Sequence, residues 1–157
     1  MSKLNQFYKL AEILNAELEI KPLLYGSLGL AQRLGRELGA EDIDILIPEV
    51  WLTEKWDTLC DFLSRNGYEL YDLHEHAFFK ENLSTAFASL ESLEEFAGIE
   101  IANIPEIRYN NLCYLLLNLE DYKKVYTASS RDGYRKDKKH KNDTQKIALI
   151  EEAIGRS

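Results

Sequence analysis

Apolar residues recur at helical spacing over the first 18 positions of the chain. They are Leu4, Phe7, Ala11, Leu14 and Leu18. This pattern predicts an amphipathic helix that begins near Ser2, a residue type that caps helices, and ends near Leu18. The short apolar run over residues 22–25 then predicts a strand that ends in Gly26-Ser27.

A second helix and a second strand follow the Gly-Ser pair. The helix is predicted from one apolar face, and we expect Gly39 to end it. That face consists of Leu28, Ala31, Leu34 and Leu38. Over residues 42–47 apolar and other residues alternate, which predicts a strand with Ile43, Ile45 and Ile47 on one face.

Helical and strand-like patterns then alternate to the end of the chain. We expect a third helix, capped by Thr53 and ended by Gly67, and strands over residues 68–73, 77–80 and 84–90 with a turn at Glu81-Asn82. Helices are predicted over about 111–129 and from about Asp143 to Ile154. The order predicts an α+β fold, a mixed β-sheet flanked by helices with a helical C-terminal part.

Composition is typical of one globular domain. The chain has 157 residues, of which 45% are hydrophobic and 29% charged, and we expect a core over about 1–105 and a helical part over about 106–157. Cys60 and Cys113 have no Cys or His nearby at metal-ligand spacing, so we interpret both as reduced core residues in helices. The absence of a signal-peptide pattern and of a long apolar run leads us to expect a cytoplasmic protein.

Charge is distributed unevenly along the chain. The net charge is −8, yet residues 121–141 hold eight Lys or Arg against three Asp. This basic segment also contains Tyr122, Tyr126 and Tyr134, a mixture that suits RNA through phosphate contact and base stacking. A solvated basic loop, with Tyr122 and Tyr126 simply in the core, explains the same residues.

Two short motifs are candidates for chemistry. Asp42 and Asp44 are two apart on a predicted strand and point to one face, where Mg²⁺ could bind them together with substrate phosphates. A polar outer face of an edge strand is the alternative. Gly26-Ser27 opens a helix, whose N-terminal N–H groups can bind a phosphate, although Ser27 could equally be a simple helix cap.

Taken together, the two motifs resemble the signature of the nucleotidyltransferase-fold superfamily, which includes DNA polymerase β. The signature here is Leu24-Tyr25-Gly26-Ser27 followed, after one helix, by Asp42-Ile43-Asp44-Ile45. Within that superfamily the chain is most similar to the compact bacterial branch of antibiotic-modifying nucleotidyltransferases and nucleotidyltransferase-like toxins. The resemblance implies that Gly26 and Ser27 contact the phosphates of a nucleoside triphosphate (NTP), and that Asp42 and Asp44 are catalytic residues that bind Mg²⁺.

Two further site residues are expected from the same resemblance. Many members have a third catalytic carboxylate on a later strand, but residues 84–90 contain no Asp or Glu, so Glu91 just beyond them is the best candidate. The branch often has a basic residue and an Asp where the last helix opens. Arg135-Lys136-Asp137 and Lys141-Asn142-Asp143 are both partial matches, and the second is preferred because the last helix is expected to begin there. Lys141 would contact the triphosphate, and Asp143 has a helix N-cap as its alternative role.

The resemblance implies an enzyme that uses Mg²⁺ to transfer a nucleoside monophosphate from an NTP to a hydroxyl-bearing acceptor. The acceptor could be a small molecule, a protein or an RNA that contacts residues 121–141. The weak third carboxylate favours an alternative, an inactive nucleotidyltransferase-fold protein with a binding or regulatory role. A component of a toxin–antitoxin pair is a further alternative.

Overall fold

The computed structural model of the chain describes residues 2–130 and 138–156, and for residues 138–142 it describes the backbone alone. The helices in these ranges are α1 (Lys3–Leu18), α2 (Gly26–Leu34), α3 (Trp56–Arg65), α4 (Ser92–Ala97), α5 (Leu119–Ser130) and α6 (Lys138–Gly155). The strands are β1 (Leu23–Tyr25), β2 (Ile43–Ile47), β3 (Glu69–Asp72), β4 (Ala77–Lys80), β5 (Leu83–Ser89), β6 (Glu106–Tyr109) and β7 (Leu112–Leu115).

These strands form one mixed sheet in the order β3-β4-β5-β2-β1-β7-β6. β1 runs antiparallel to β2 and parallel to β7, while β2 runs parallel to β5. Helices flank the sheet, and α5 and α6 pack together after the last strand. The predicted α+β class, with a mixed sheet and a helical C-terminal part, is confirmed.

The N-terminal helix forms as its pattern predicts. Ser2 Oγ accepts a hydrogen bond from the Asn5 backbone N–H at 3.1 Å and so caps the first turn. Phe7, buried on the apolar face of α1, packs edge-on against Tyr114 of β7 with 5.2 Å between ring centroids. Burial of an apolar helix face against the sheet is the main stabilising contribution here.

The end of α2 and the beginning of α3 differ from expectation. α2 ends at Leu34 because Gly35, with φ of 71°, adopts the left-handed conformation that terminates a helix, so Gly39 lies in the following loop. α3 begins at Trp56 without a cap from Thr53, whose hydroxyl instead donates to the Glu49 carbonyl at 3.1 Å. The residues shortly before α3 form a separate 3₁₀ turn over Glu49–Leu52.

The prediction of a helix from about residue 111 is wrong for its first part. β6 and β7 form an antiparallel hairpin there, turned by Asn110 with φ of 54° and Asn111. Cys113 therefore lies on a strand, where its thiol donates to Glu106 Oε1 at 2.6 Å. The helical C-terminal part begins at Leu119 and not near residue 106.

The last helix is longer than expected. α6 begins at Lys138, so Asp143 lies inside the helix and is not its N-cap. Ile150 on its buried face is fully enclosed, as its pattern predicts. In the part of the chain that the structure describes, no helix is both long enough and apolar enough to cross a membrane.

Candidate functional site

The Gly26-Ser27 turn connects β1 directly to the first turn of α2. Gly26 has φ of 65°, and a Cβ added to it would overlap Asp44 Oδ2 and lie 3.2 Å from the Asp44 Cβ. Glycine is thus required both by the backbone conformation and by the approach of the carboxylate. The N-cap residue, Tyr25, makes no side-chain hydrogen bond to this end of α2. The first N–H groups of a helix are donors that suit an anion.

The two aspartates lie beside this turn. Asp44 is on β2, directly across from Tyr25 in the antiparallel ladder, and is half-buried. Asp42 lies in the bend before β2 and is exposed. Both aspartates line a cavity with Ser27. The structure therefore brings together the four residues that the signature predicts.

A second cavity, of about 420 Å³, adjoins the same residues. Gly26, Ser27 and Asp44 form one part of its wall. α5 and α6 form a second part through Tyr126, Ser129, Asp143 and Lys146. The rest of the wall includes Ala86 and Ala88 of β5, Glu75 of the turn between β3 and β4, and Phe96 of α4. The Gly-Ser turn and several polar side chains thus line one pocket of the size that binds small molecules.

Lys146 is a site residue that sequence reasoning missed. It lines both cavities, and its Nζ lies 5.1 Å from the Tyr126 ring centroid. The sequence signal that could have identified Lys146 is its position one helical turn before Ile150, on the face of the last helix that is predicted to be buried. Lys141, the residue predicted to contact triphosphate, lies in the first turn of α6 and its side chain is outside the described part of the structure.

Asp143 connects the two C-terminal helices. Its side chain is 2% exposed, and Oδ2 accepts a hydrogen bond from the Ser129 hydroxyl at 2.7 Å. A buried carboxylate is tolerated only with hydrogen-bonding partners of this kind. The contact holds α6 against α5 at the point where Lys146, one turn along the helix, enters the cavity.

The structure does not bring Glu91 to the aspartate pair. β2 and β5 pair in parallel with Asp44 opposite Ala86, and Glu91 follows five positions further on, about 16 Å along an extended chain. Its carboxylate accepts the Glu49 backbone N–H at 2.9 Å, beyond the far end of β2. The β5 position beside Asp44 therefore carries a methyl group, and the strand on which a third carboxylate was expected has none there.

Tyr122 is hydrogen-bonded to the strand that leads into the Gly-Ser turn. It is fully buried, and its hydroxyl donates to the Leu24 carbonyl at 3.0 Å, two residues before Gly26. Burial raises the pKa of this phenol well above its usual value, so it remains a hydrogen-bond donor. Tyr122 and Tyr126 lie in the core, which confirms that alternative for these two residues of the basic segment.

The remaining basic segment is described only in part. Lys123 pairs with Glu151 at 3.7 Å and Lys124 with Asp121 at 3.8 Å, so both lysines contact acidic groups of α5 and α6. The predictions for residues 131–137, including Tyr134, lie outside the described residues, as do those for the side chains of residues 138–142.

The donor set at the turn fits magnesium. Among the residues described, no group of three or more His, Cys, Asp or Glu is arranged to hold a metal ion. Mg²⁺ commonly binds through one or two carboxylates and takes its other ligands from substrate phosphates and water. Asp42 and Asp44, next to an anion-binding helix end, offer such a site.

Comparison with solved structures identifies the fold. An antigenic nucleotidyltransferase-like protein from Paracoccidioides brasiliensis superposes with a TM-score of 0.61 at 14% identity, over 94% of this chain and 75% of that one. Lincomycin-bound LnuA, a lincosamide antibiotic adenylyltransferase, gives a TM-score of 0.58 at 14% identity, over 96% of this chain and 98% of that one. The chain has the nucleotidyltransferase fold and resembles antibiotic-modifying enzymes of that fold.

Sequence comparison then places the chain within a narrower group. No known family profile matches the sequence. The protein "Uncharacterized protein YnaI" of Bacillus subtilis (strain 168) is 41% identical over 154 residues, which are 98% of this chain and 99% of that protein. The chain belongs to the same family as YnaI.

Proposed function

We propose that the protein transfers a nucleoside monophosphate from an NTP to a hydroxyl-bearing acceptor, with Mg²⁺ bound at Asp42 and Asp44. The observation that carries the proposal is the convergence of Gly26-Ser27, the two aspartates and Lys146 on adjoining cavities. Each group has a type of chemistry that a polyphosphate requires: backbone donors, acidic metal ligands and a cation.

Each residue has a distinct role in this proposal. The N–H groups at the start of α2 and the Ser27 hydroxyl donate to the phosphates, and the Lys146 ammonium neutralises their charge. Asp42 and Asp44 hold the metal, which supplies charge stabilisation at the phosphoryl oxygens. Asp143 and Ser129 position α6 so that Lys146 reaches the cavity.

The proposed acceptor is a small hydroxyl-bearing molecule. LnuA is a lincosamide adenylyltransferase seen with lincomycin, and the cavity of about 420 Å³ in the present chain is of small-molecule size. These observations favour a small hydroxyl-bearing acceptor over an RNA end. The acceptor oxygen would attack the α-phosphorus as pyrophosphate leaves.

A second candidate function is nucleotide binding without transfer. Ala86 stands beside Asp44 on β5, where the resemblance predicts a third carboxylate. A protein without that group could still bind a magnesium nucleotide and act as a regulatory module. Catalysis therefore has to be tested separately from binding.

Binding is tested first, with thermal unfolding. Mg²⁺ and ATP should raise the melting temperature of the native protein, because a ligand of the folded state stabilises it. Asp42→Asn with Asp44→Asn should abolish this rise. The matched control, Asp57→Asn with Asp61→Asn, makes the same charge change on exposed positions of α3 and should keep the rise. An unaltered response in the Asp42/Asp44 variant would overturn the metal assignment.

Transfer is tested with each of the four α-³²P-labelled NTPs, Mg²⁺ and a bacterial extract that contains RNA and metabolites. We expect label to appear in a new product with the native protein and not with the Asp42/Asp44 variant. A nucleotide-dependent rise in melting temperature without label transfer or pyrophosphate release would favour the binding function instead.

A further inference from the structure

β5 contributes no carboxylate to the cavity of about 420 Å³, and the residues it places there are small. Ala86 is half-buried and Ala88 is exposed, and both line the cavity next to Asp44. Two methyl-bearing residues in this position leave space above the sheet. A longer side chain from a neighbouring segment can occupy that space.

Glu75 is placed to do so. It lies in the turn before β4, and β4 pairs with β5 so that Ala77 is opposite Ala86. The pairing continues into the turn, because the His76 carbonyl accepts the Phe87 N–H at 3.1 Å. Adjacent strands are about 4.8 Å apart and rise about 3.3 Å per residue, so a glutamate here is within side-chain reach of the space above the alanines. Glu75 lines the same cavity as Asp44, Gly26 and Ser27.

The turn that carries Glu75 is held in place by three contacts. Asp72 Oδ1 accepts the Glu75 backbone N–H at 3.2 Å, and the His76 N–H donates to the Leu73 carbonyl at 3.2 Å. The His76 ring packs edge-on against Trp56, with 4.8 Å between centroids. A fixed backbone lowers the entropy lost when the side chain orders at a substrate.

We propose that Glu75 is the catalytic carboxylate that accepts the proton from the acceptor hydroxyl. The proposal rests on the transfer function proposed above. The acceptor oxygen forms a bond to the α-phosphorus, its proton passes to the Glu75 carboxylate, and the bond from the α-phosphorus to the bridging oxygen breaks. Pyrophosphate leaves with that electron pair.

Two observations favour a proton acceptor over a third metal ligand. Within the described residues Glu75 forms no metal-holding group with Asp42 and Asp44. It is also exposed, so the proton it takes can pass to water after each turnover. Glu75 thus provides, from the turn of the β3–β4 hairpin, the carboxylate that β5 lacks at Ala86.

The test measures pyrophosphate release from ATP with Mg²⁺ in the presence of the same bacterial extract. Glu75→Gln should lower kcat by about 100-fold or more, the contribution of a positioned general base. The KM for ATP should stay within about threefold, because binding and metal are left intact. Glu69→Gln, on an exposed position of the same hairpin outside the cavity, is the matched control and should keep native kcat. Ala86→Asp added to Glu75→Gln should restore much of the lost rate.

A second readout does not depend on turnover. Protein labelled with ¹³C at its glutamate carboxyls is mixed with Mn²⁺ and a non-hydrolysable ATP analogue. The Glu75 signal, recognised by its loss in Glu75→Gln, should be broadened much more strongly than the Glu69 signal, because the bound Mn²⁺ is nearer.

The outcomes separate this inference from the proposed function. Native turnover in Glu75→Gln, or equal broadening of the two glutamate signals, would overturn the role of Glu75 alone. A tenfold or greater rise in KM that accompanies the lost rate would also overturn it, since Glu75 would then be a binding residue. No pyrophosphate release by the native protein from any of the four NTPs would overturn the transfer function and the Glu75 role with it.

Discussion

Gly29 offers a direct test of how the Gly-Ser turn is supported. It lies one turn into α2, and a Cβ there would overlap both the Leu24 carbonyl oxygen and the Tyr122 hydroxyl. These two groups are hydrogen-bonded to each other at 3.0 Å in the core. The carbonyl belongs to the backbone of β1, so Gly29→Ala cannot be accommodated by the movement of one side chain.

The expected cost follows from three contributions. Alanine would favour the helix by about 0.5–1 kcal/mol if the site had room. Overpacking of a core costs about 1–3 kcal/mol. Separation of the Tyr122–Leu24 hydrogen bond leaves buried groups unpaired, at about 1–3 kcal/mol. The free energy of unfolding should therefore fall by about 2–4 kcal/mol, the overlap outweighing the helix preference.

Thermal and urea unfolding measure this loss. A protein of this size should lose about 2–4 °C of melting temperature for each kcal/mol, so a fall of about 4–16 °C is expected. Gly155→Ala is the matched control, because Gly155 ends α6 and its added Cβ would meet no atom within 4 Å. Equal stability of Gly29→Ala and the native protein would refute the reasoning.

A double-mutant cycle identifies the contact. Tyr122→Phe removes one of the two overlapping oxygens and should cost about 1–2 kcal/mol on its own. Gly29→Ala with Tyr122→Phe should then cost less than the sum of the single changes, by at least about 0.5 kcal/mol. Strict additivity would mean that the hydroxyl is not the atom that the alanine meets.

Two further predictions concern charge. Lys146→Gln should weaken ATP binding by about 10- to 100-fold in calorimetry, since a charge-assisted contact is worth about 1.5–3 kcal/mol. Lys123→Gln, whose ammonium pairs with Glu151 at 3.7 Å, should not weaken it. Burial raises the pKa of Tyr68 to about 12 from its usual 10.0. Between these pH values the unfolded chain releases the proton and the folded chain keeps it, so stability should fall by about 3 kcal/mol as pH rises, and urea unfolding of Tyr68→Phe should show a shallower fall.

The unit from β1 to β2 could be predicted from sequence because its signals are local. The apolar run before Gly26 and the alternation at Ile43, Ile45 and Ile47 each fix one strand, and the structure has both. The turn at Glu81-Asn82 is local in the same way, with both residues at positive φ between β4 and β5. Local patterns suffice wherever the structure depends on neighbours in sequence.

The hairpin of β6 and β7 shows where local signals fail. Leu112, Cys113 and Tyr114 are all buried, so their run has no alternation that would distinguish a strand from a buried helix. The distinguishing contact is remote, since the Asn15 side chain accepts the Cys113 N–H at 2.7 Å and donates to its carbonyl at 3.1 Å. Tertiary partners of this kind cannot be inferred from a window of sequence.

The third carboxylate illustrates the same limit at the site itself. From sequence, the nearest carboxylate to β5 is Glu91, just beyond the end of the strand. Sequence position alone cannot show that Asp44 pairs with Ala86, so it cannot exclude Glu91. The register between β2 and β5 places Glu91 away from the aspartate pair. The pairing of β4 with β5 places the turn before β4 at the same cavity as Asp44. A carboxylate can therefore be missing from one strand and still be present at the site, supplied by the adjacent turn. Under the role proposed for Glu75, transfer as opposed to binding alone depends on that residue and not on β5.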